Sequence, residues 1–112
     1  MKTKRLNAYR IMWVICCFDL PVVTKKEQKI ANAFRKFLKE AGFMMIQYSI
    51  YGRHCPSSDA ANVHINKIKK HIPENGSVFI LKITDKQFGE SILYQNAKKE
   101  DPPKGYQQLE LF

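Results

Sequence analysis

Between Tyr9 and Phe18 the chain is rich in β-formers and apolar on both faces, a pattern that predicts a central strand covered by its own chain on one side and by a partner elsewhere. Asp19-Leu20-Pro21 ends it. Thr24, followed three residues later by Glu27, is a capping-box signature, and Ile30, Ala33, Phe34, Phe37, Leu38 and Ala41 recur at helical spacing up to Gly42. Phe43 to Arg53 is aromatic and β-branched apart from Gln47 and Ser49, and reads as one bent strand or two short strands in succession. Pro56-Ser57-Ser58-Asp59 supplies turn and capping residues for a second helix with Ala61, Ile65, Ile68 and Ile72 on one face. Pro73-Glu74-Asn75-Gly76 then turns the chain into a last buried strand, Val78 to Thr84.

The order strand, helix, strand, strand, helix, strand is the split βαβ pattern of an α+β, ferredoxin-like fold, in which both helices cover one face of an antiparallel sheet. These strands are too apolar for the second face to be left in water, so a homodimer that buries it is the simplest expectation. The core domain is expected over residues 1–95. Residues 96–105 are charged, contain Pro102-Pro103 and read as a linker; residues 106–112 regain strand character and are expected to add to a sheet edge on a partner chain.

Composition adds a direction. The 112 residues hold 19 Lys+Arg against 10 Asp+Glu, a formal charge of +9, which points to a polyanionic partner. The excess is uneven: residues 1–56 carry 11 basic and 3 acidic side chains, residues 57–112 carry 8 and 7. Cys16, Cys17 and Cys55 form no CxxC pair and have no zinc-like His spacing, so neither a disulfide framework nor a structural metal site is indicated, and a cytoplasmic location fits. Lys2, Lys4, Arg5 and Arg10 before an apolar run imitate a signal peptide, but Asp19 and Pro21 replace the cleavage site and eight apolar residues are too few to span a bilayer. No membrane partner is expected.

Few residues suggest chemistry. Asp19, the first acidic residue, ends the buried strand just before Lys25, Lys26 and Lys29. An aspartate there either hydrogen-bonds the following loop or offers an oxygen ligand to Mg²⁺, and a two-fold axis could bring two copies of Asp19 to one site. His54, His64 and His71 have no partner pattern for nucleophilic catalysis. Ser49 and Tyr51 alternate with Ile50 and so share a sheet face, where a hydroxyl could take phosphate or satisfy the strand edge. Lys25, Lys26, Lys29, Arg53, Lys67 and Lys70 (with Lys69) could form a stripe that contacts phosphates without reading bases, whereas Lys36 and Lys39 read as a solvated helix face.

Three segments carry a family resemblance: Met12-Trp13-Val14-Ile15-Cys16-Cys17-Phe18-Asp19-Leu20-Pro21, then Gly42 through Arg53 with the adjoining His54-Cys55-Pro56-Ser57, and Val78 to Gly89 with Ile83-Thr84-Asp85-Lys86-Gln87-Phe88-Gly89. Together they resemble the CRISPR-associated Cas-two proteins, in the branch found beside a single large RNA-guided nuclease, over roughly residues 9–95. The resemblance implies a ferredoxin-like homodimer, Asp19 at the divalent-metal position (Mg²⁺ or a similar cation), and a dimer that bridges two CRISPR integrase dimers and holds the duplex DNA of a captured fragment. It also implies a metal-dependent endonuclease activity, on RNA or DNA, in some members. Relatives often have a tyrosine just before the aspartate where this chain has Cys17-Phe18. With one carboxylate and no visible general base, a non-catalytic DNA scaffold is preferred to a nuclease acting through paired Asp19. An RNA-recognition module of similar strand order is disfavoured because no segment matches the aromatic RNP pattern.

Overall fold

The computed structural model describes residues 10–103; the strand expected over residues 106–112 lies outside them. Four strands form one antiparallel sheet in the order β2-β3-β1-β4: β1 (Met12–Asp19), β2 (Met44–Gln47), β3 (Ile50–Cys55) and β4 (Ser77–Thr84). Because β3 is antiparallel to both β1 and β2, the latter two run in the same direction with β3 between them, which is the expected split βαβ unit. Helices α1 (Lys25–Glu40) and α2 (Ser58–Lys69) make the two crossovers. The α+β, ferredoxin-like reading holds.

Local sequence explains each boundary. The Thr24 hydroxyl accepts from the Glu27 amide while the Glu27 carboxylate accepts from the amide of Thr24, so two orphan donors of α1 are satisfied reciprocally. At the other end Gly42 takes φ +89, and the amides of Gly42 and Phe43 donate to the carbonyls of Lys39 and Leu38. This is a Schellman stop, and the bond pairing Phe43 with Leu38 joins two buried side chains. Ser57 caps α2 through the Ala60 amide. That helix stops a turn earlier than Ile72 would require. Pro73 disfavours helical backbone at the residue before it, and Ile72 is exposed instead of lying on the core face.

The Phe43–Arg53 segment resolves into two strands joined at Tyr48-Ser49, with a register shift between Met45 and Gln47. Ser49 stands in the turn at φ 70, and Tyr51 is buried on the helical side, so the two do not share a strand face as the alternation suggested. Two further elements follow β4. A short helix α3 (Asp85–Gly89) starts with its own capping box, Thr84 and Gln87. A hairpin of β5 (Leu93–Gln95) and β6 (Lys98–Glu100) turns through Asn96 and Ala97, both at positive φ, and so occupies part of the stretch expected as linker.

Alternation along β1 sorts the core into two layers. Val14, Cys16 and Phe18 face the helices and pack with Ala31, Phe34, Leu38, Tyr51, Ala61 and Ile68. Trp13 and Ile15 face the other way, with Phe88 of α3 and, less buried, Cys17, Ile46, Ile50 and Ile83. Gly52 permits this second layer: a Cβ there would come 2.8 Å from Ile46 Cδ1 and 3.1 Å from Ile15 Cδ1. The short helix covers only part of the face. Phe79 (60% exposed), Leu81 and Met44 remain uncovered within the chain.

Candidate nucleic-acid interface

Topology brings Asp19 and the sequence-predicted lysines toward one end of the sheet. β1 ends at Asp19 and α1 starts after five intervening residues; α2 runs the opposite way to α1 and ends before Ser77, which stands opposite Asp19 in the β1–β4 ladder. The N-terminus of α1, the C-terminus of α2 and the strand-end aspartate therefore collect at the same edge. Asp19 is exposed, and strand alternation puts it on the uncovered face with Cys17 and Ile15. Gly76, at φ +94, presses on its backbone: a Cβ there would lie 2.6 Å from the Asp19 carbonyl oxygen.

Lys25, Lys26 and Lys29 are exposed in the first two turns of α1, and Lys67 and Lys70 are exposed at the end of α2. Lysines at the start of a helix oppose its macrodipole, so Lys25 and Lys26 are held there against a cost of a few tenths of a kcal/mol each. An anion bound at that end would relieve it. None has a carboxylate partner; among the described residues the only ion pair is Lys86–Glu90, at 3.5 Å. Lys26 also lines a cavity of about 90 Å³ with Leu20, Pro21, Glu27, Ile30, Glu74 and Asn75, so two carboxylates share its surroundings.

Arg53 is placed differently. β3 directs it to the helical side, half-buried, where its Nη1 donates to the Ala41 carbonyl at 3.0 Å. Its guanidinium fills the space that a Cβ on Gly42 would take. It therefore closes the C-terminus of α1 and stands apart from the exposed lysines. Its charge, after burial, helps push the His64 pKa below the usual imidazole value, with Lys67 adding to the effect. His54, on the opposite face beside Trp13, is lowered by burial and by Arg53, against an opposing pull from Asp85. Burial pushes Cys16 up to about 12, with help from Cys17, and raises Cys55, so these thiols are inert fillers.

Among the described residues no group of three or more His, Cys, Asp or Glu side chains stands together to hold an ion. One chain offers one carboxylate, so its residues alone do not make a Mg²⁺ site; a second copy would have to supply the rest. No helix of the described residues is long and apolar enough to cross a membrane.

Two groups escaped the sequence reading. Asp85 is buried and its Oδ1 accepts from Trp13 Nε1 at 2.7 Å, with Phe88 stacked on the indole at 4.0 Å. The Thr84/Gln87 pair announced this helix. Arg35 lies with its guanidinium carbon 5.5 Å from the Phe18 ring centre and 4.5 Å from that of Tyr48, a through-space pairing without a short sequence signal.

The family model described as CRISPR associated protein Cas2 matches residues 12–91. A protein of Flavobacterium psychrophilum is 49% identical over 108 residues, covering 96% of this chain and 94% of its own length. One of Parvibaculum lavamentivorans is 46% identical over 90% of this chain and all of its own. A third, of Streptococcus mutans, is 36% identical over 80% of this chain and 81% of its own. Each of the three is called CRISPR-associated endoribonuclease Cas2.

Proposed function

The chain belongs to the CRISPR associated protein Cas2 family, and from that membership we propose that it acts as a homodimeric scaffold that holds duplex DNA by its backbone and bridges CRISPR integrase dimers during the acquisition of new spacers in antiviral defence. The observation that carries this reading is the set of exposed lysines, Lys25, Lys26, Lys29, Lys67 and Lys70, none of them in an ion pair among the described residues, gathered toward the end of the sheet where β1 finishes at Asp19. Cations so arranged neutralise phosphates and release counterions, which gives affinity that is blind to sequence and falls steeply with salt. The apolar face around Phe79, Leu81 and Met44 supports the dimer, since a second copy is the partner with matching chemistry.

A second reading, a metal-dependent endonuclease on RNA or DNA, is favoured by the name its relatives carry. On that reading the Asp19 carboxylates of two copies would hold a Mg²⁺, which would neutralise phosphate charge. Asp19→Asn separates the two. The amide keeps the shape and loses the charge, so integration by the assembled complex is expected to persist while any Mg²⁺-dependent cutting by the isolated protein disappears. Integration abolished in a complex that still assembles would overturn the scaffold reading.

A further inference from the structure

Arg35 is a cation clamped between two rings, Phe18 beneath it and Tyr48 outside it. Phe18 belongs to the core; Tyr48 is 72% exposed. Among the described residues the guanidinium makes one hydrogen bond, from Nη1 to Asn32 Oδ1 at 3.2 Å, and its Nε is buried without a partner. Among the described residues no carboxylate lies within ion-pair distance. Guanidinium groups fixed by stacking and left with spare N–H donors are suited to anions of planar or tetrahedral geometry.

The turn that carries Tyr48 is held in place. Ser49 adopts φ 70, a left-handed conformation that costs a non-glycine residue on the order of 1 kcal/mol or more. Its carbonyl accepts from the Phe18 amide at 3.0 Å, which fastens the tip of the β2–β3 hairpin to the end of β1. The ring of Tyr48 thus has one face against Arg35 and the other open to solvent. On α1, Lys25, Lys29, Asn32 and Lys36 recur at spacings of three and four on the side that leads to Arg35.

We propose that Tyr48 and Arg35 form a stacking site for an unpaired nucleotide, the base lying on the open face of Tyr48 and its flanking phosphate taking the Nη donors of Arg35 that Asn32 leaves free. The site rests on the reading of this chain as a nucleic-acid binder and adds a place where a strand leaves the duplex. An acidic peptide would satisfy Arg35 but leave the exposed ring without a role, whereas a nucleotide brings both a π face and an anion. Stacking on Tyr48 does not involve the sugar, so deoxyribose and ribose strands share this chemistry.

The test uses full-length protein and labelled oligothymidylate, oligouridylate and a blunt duplex. Tyr48→Ala is expected to weaken binding of the single strands about 5- to 100-fold while the duplex binds as before; Tyr48→Phe should keep wild-type affinity, because the ring and not the hydroxyl is used. Arg35→Lys, which keeps the charge and loses the fork, should also weaken single-strand binding. Thermal melting of Tyr48→Ala should match wild type, as the side chain is exposed. Equal losses on thymidylate and uridylate are expected, and a loss confined to one would narrow the site to DNA or to RNA. Single strands that bind Tyr48→Ala as tightly as wild type, or that do not bind wild type at all, would overturn the proposal. Failure of wild type to bind the duplex, with the Tyr48 effect on single strands intact, would count against the scaffold and leave this site standing.

Discussion

At the scale of single residues, the decisive contrast is between charges that are used internally and charges that are left free. Asp85 is the buried carboxylate among the described residues, and its partner is an indole N–H across the sheet's second face. Trp13→Phe would remove the donor and leave a desolvated carboxylate unpaired. The expected loss in urea unfolding is about 2–3 kcal/mol, larger than ring shrinkage alone would give, and a double-mutant cycle with Asp85→Ala should return a coupling of about 1 kcal/mol or more. Additive effects would mean that the 2.7 Å contact contributes nothing. Asp19, by contrast, is exposed and sits at a ladder end, where its charge costs the fold little and is available to other molecules.

Elements show what a one-dimensional pattern can and cannot deliver. Both crossover helices, the four strands and the capping box at Thr24 were legible because they rest on local rules: alternation, 3.6-residue spacing, and side chains that satisfy nearby amides. The placement of Asp19 at the end of β1 and of Lys25, Lys26 and Lys29 in the first turns of α1 was legible for the same reason. Arg53 was not. The sequence suggested a phosphate contact, yet the partner that fixes it, the Ala41 carbonyl, is twelve residues away and becomes adjacent only when β3 packs beside the C-terminus of α1. Arg53→Ala is therefore expected to destabilise the protein by about 1–2 kcal/mol, while Lys25→Ala and Lys26→Ala stay within about 0.5 kcal/mol and instead lower DNA affinity. An Arg53→Ala protein with unchanged stability and a lysine-like loss of DNA affinity would return Arg53 to the phosphate surface. The Arg35–Tyr48 pair went unnoticed on the same physical ground, since one residue comes from a helix and the other from a hairpin tip.

For the whole molecule the open question of surface is the face that α3 only half covers. Phe79→Glu places a charge at its most exposed large side chain, opposite Cys17 in the β1–β4 ladder. On the dimer reading, sedimentation should shift from a particle of two chains to one of 13.1 kDa, while the fold persists because Phe79 is not part of the core. Thiol labelling should rise at Cys17, which a second copy would otherwise cover. Halving the particle also halves the phosphates it can neutralise, so the slope of log affinity against log salt should fall by about one half. A wild-type protein that sediments as a single chain at micromolar concentration would remove the premise.

The seating of Trp13 also gives the protein an optical reporter of its own. It is the chain's one tryptophan, fully buried, stacked on Phe88 and hydrogen-bonded to Asp85. Its fluorescence therefore reads the packing of the sheet's second face, the docking of α3 included. Emission should be blue-shifted in the native state and move to the red when that helix lifts. The indole lies on the opposite side of the sheet from the lysines and from Tyr48, so added DNA should leave the spectrum nearly unchanged. The same cuvette can then follow unfolding in the presence of nucleic acid without any dye, with the ligand visible only as a displaced midpoint.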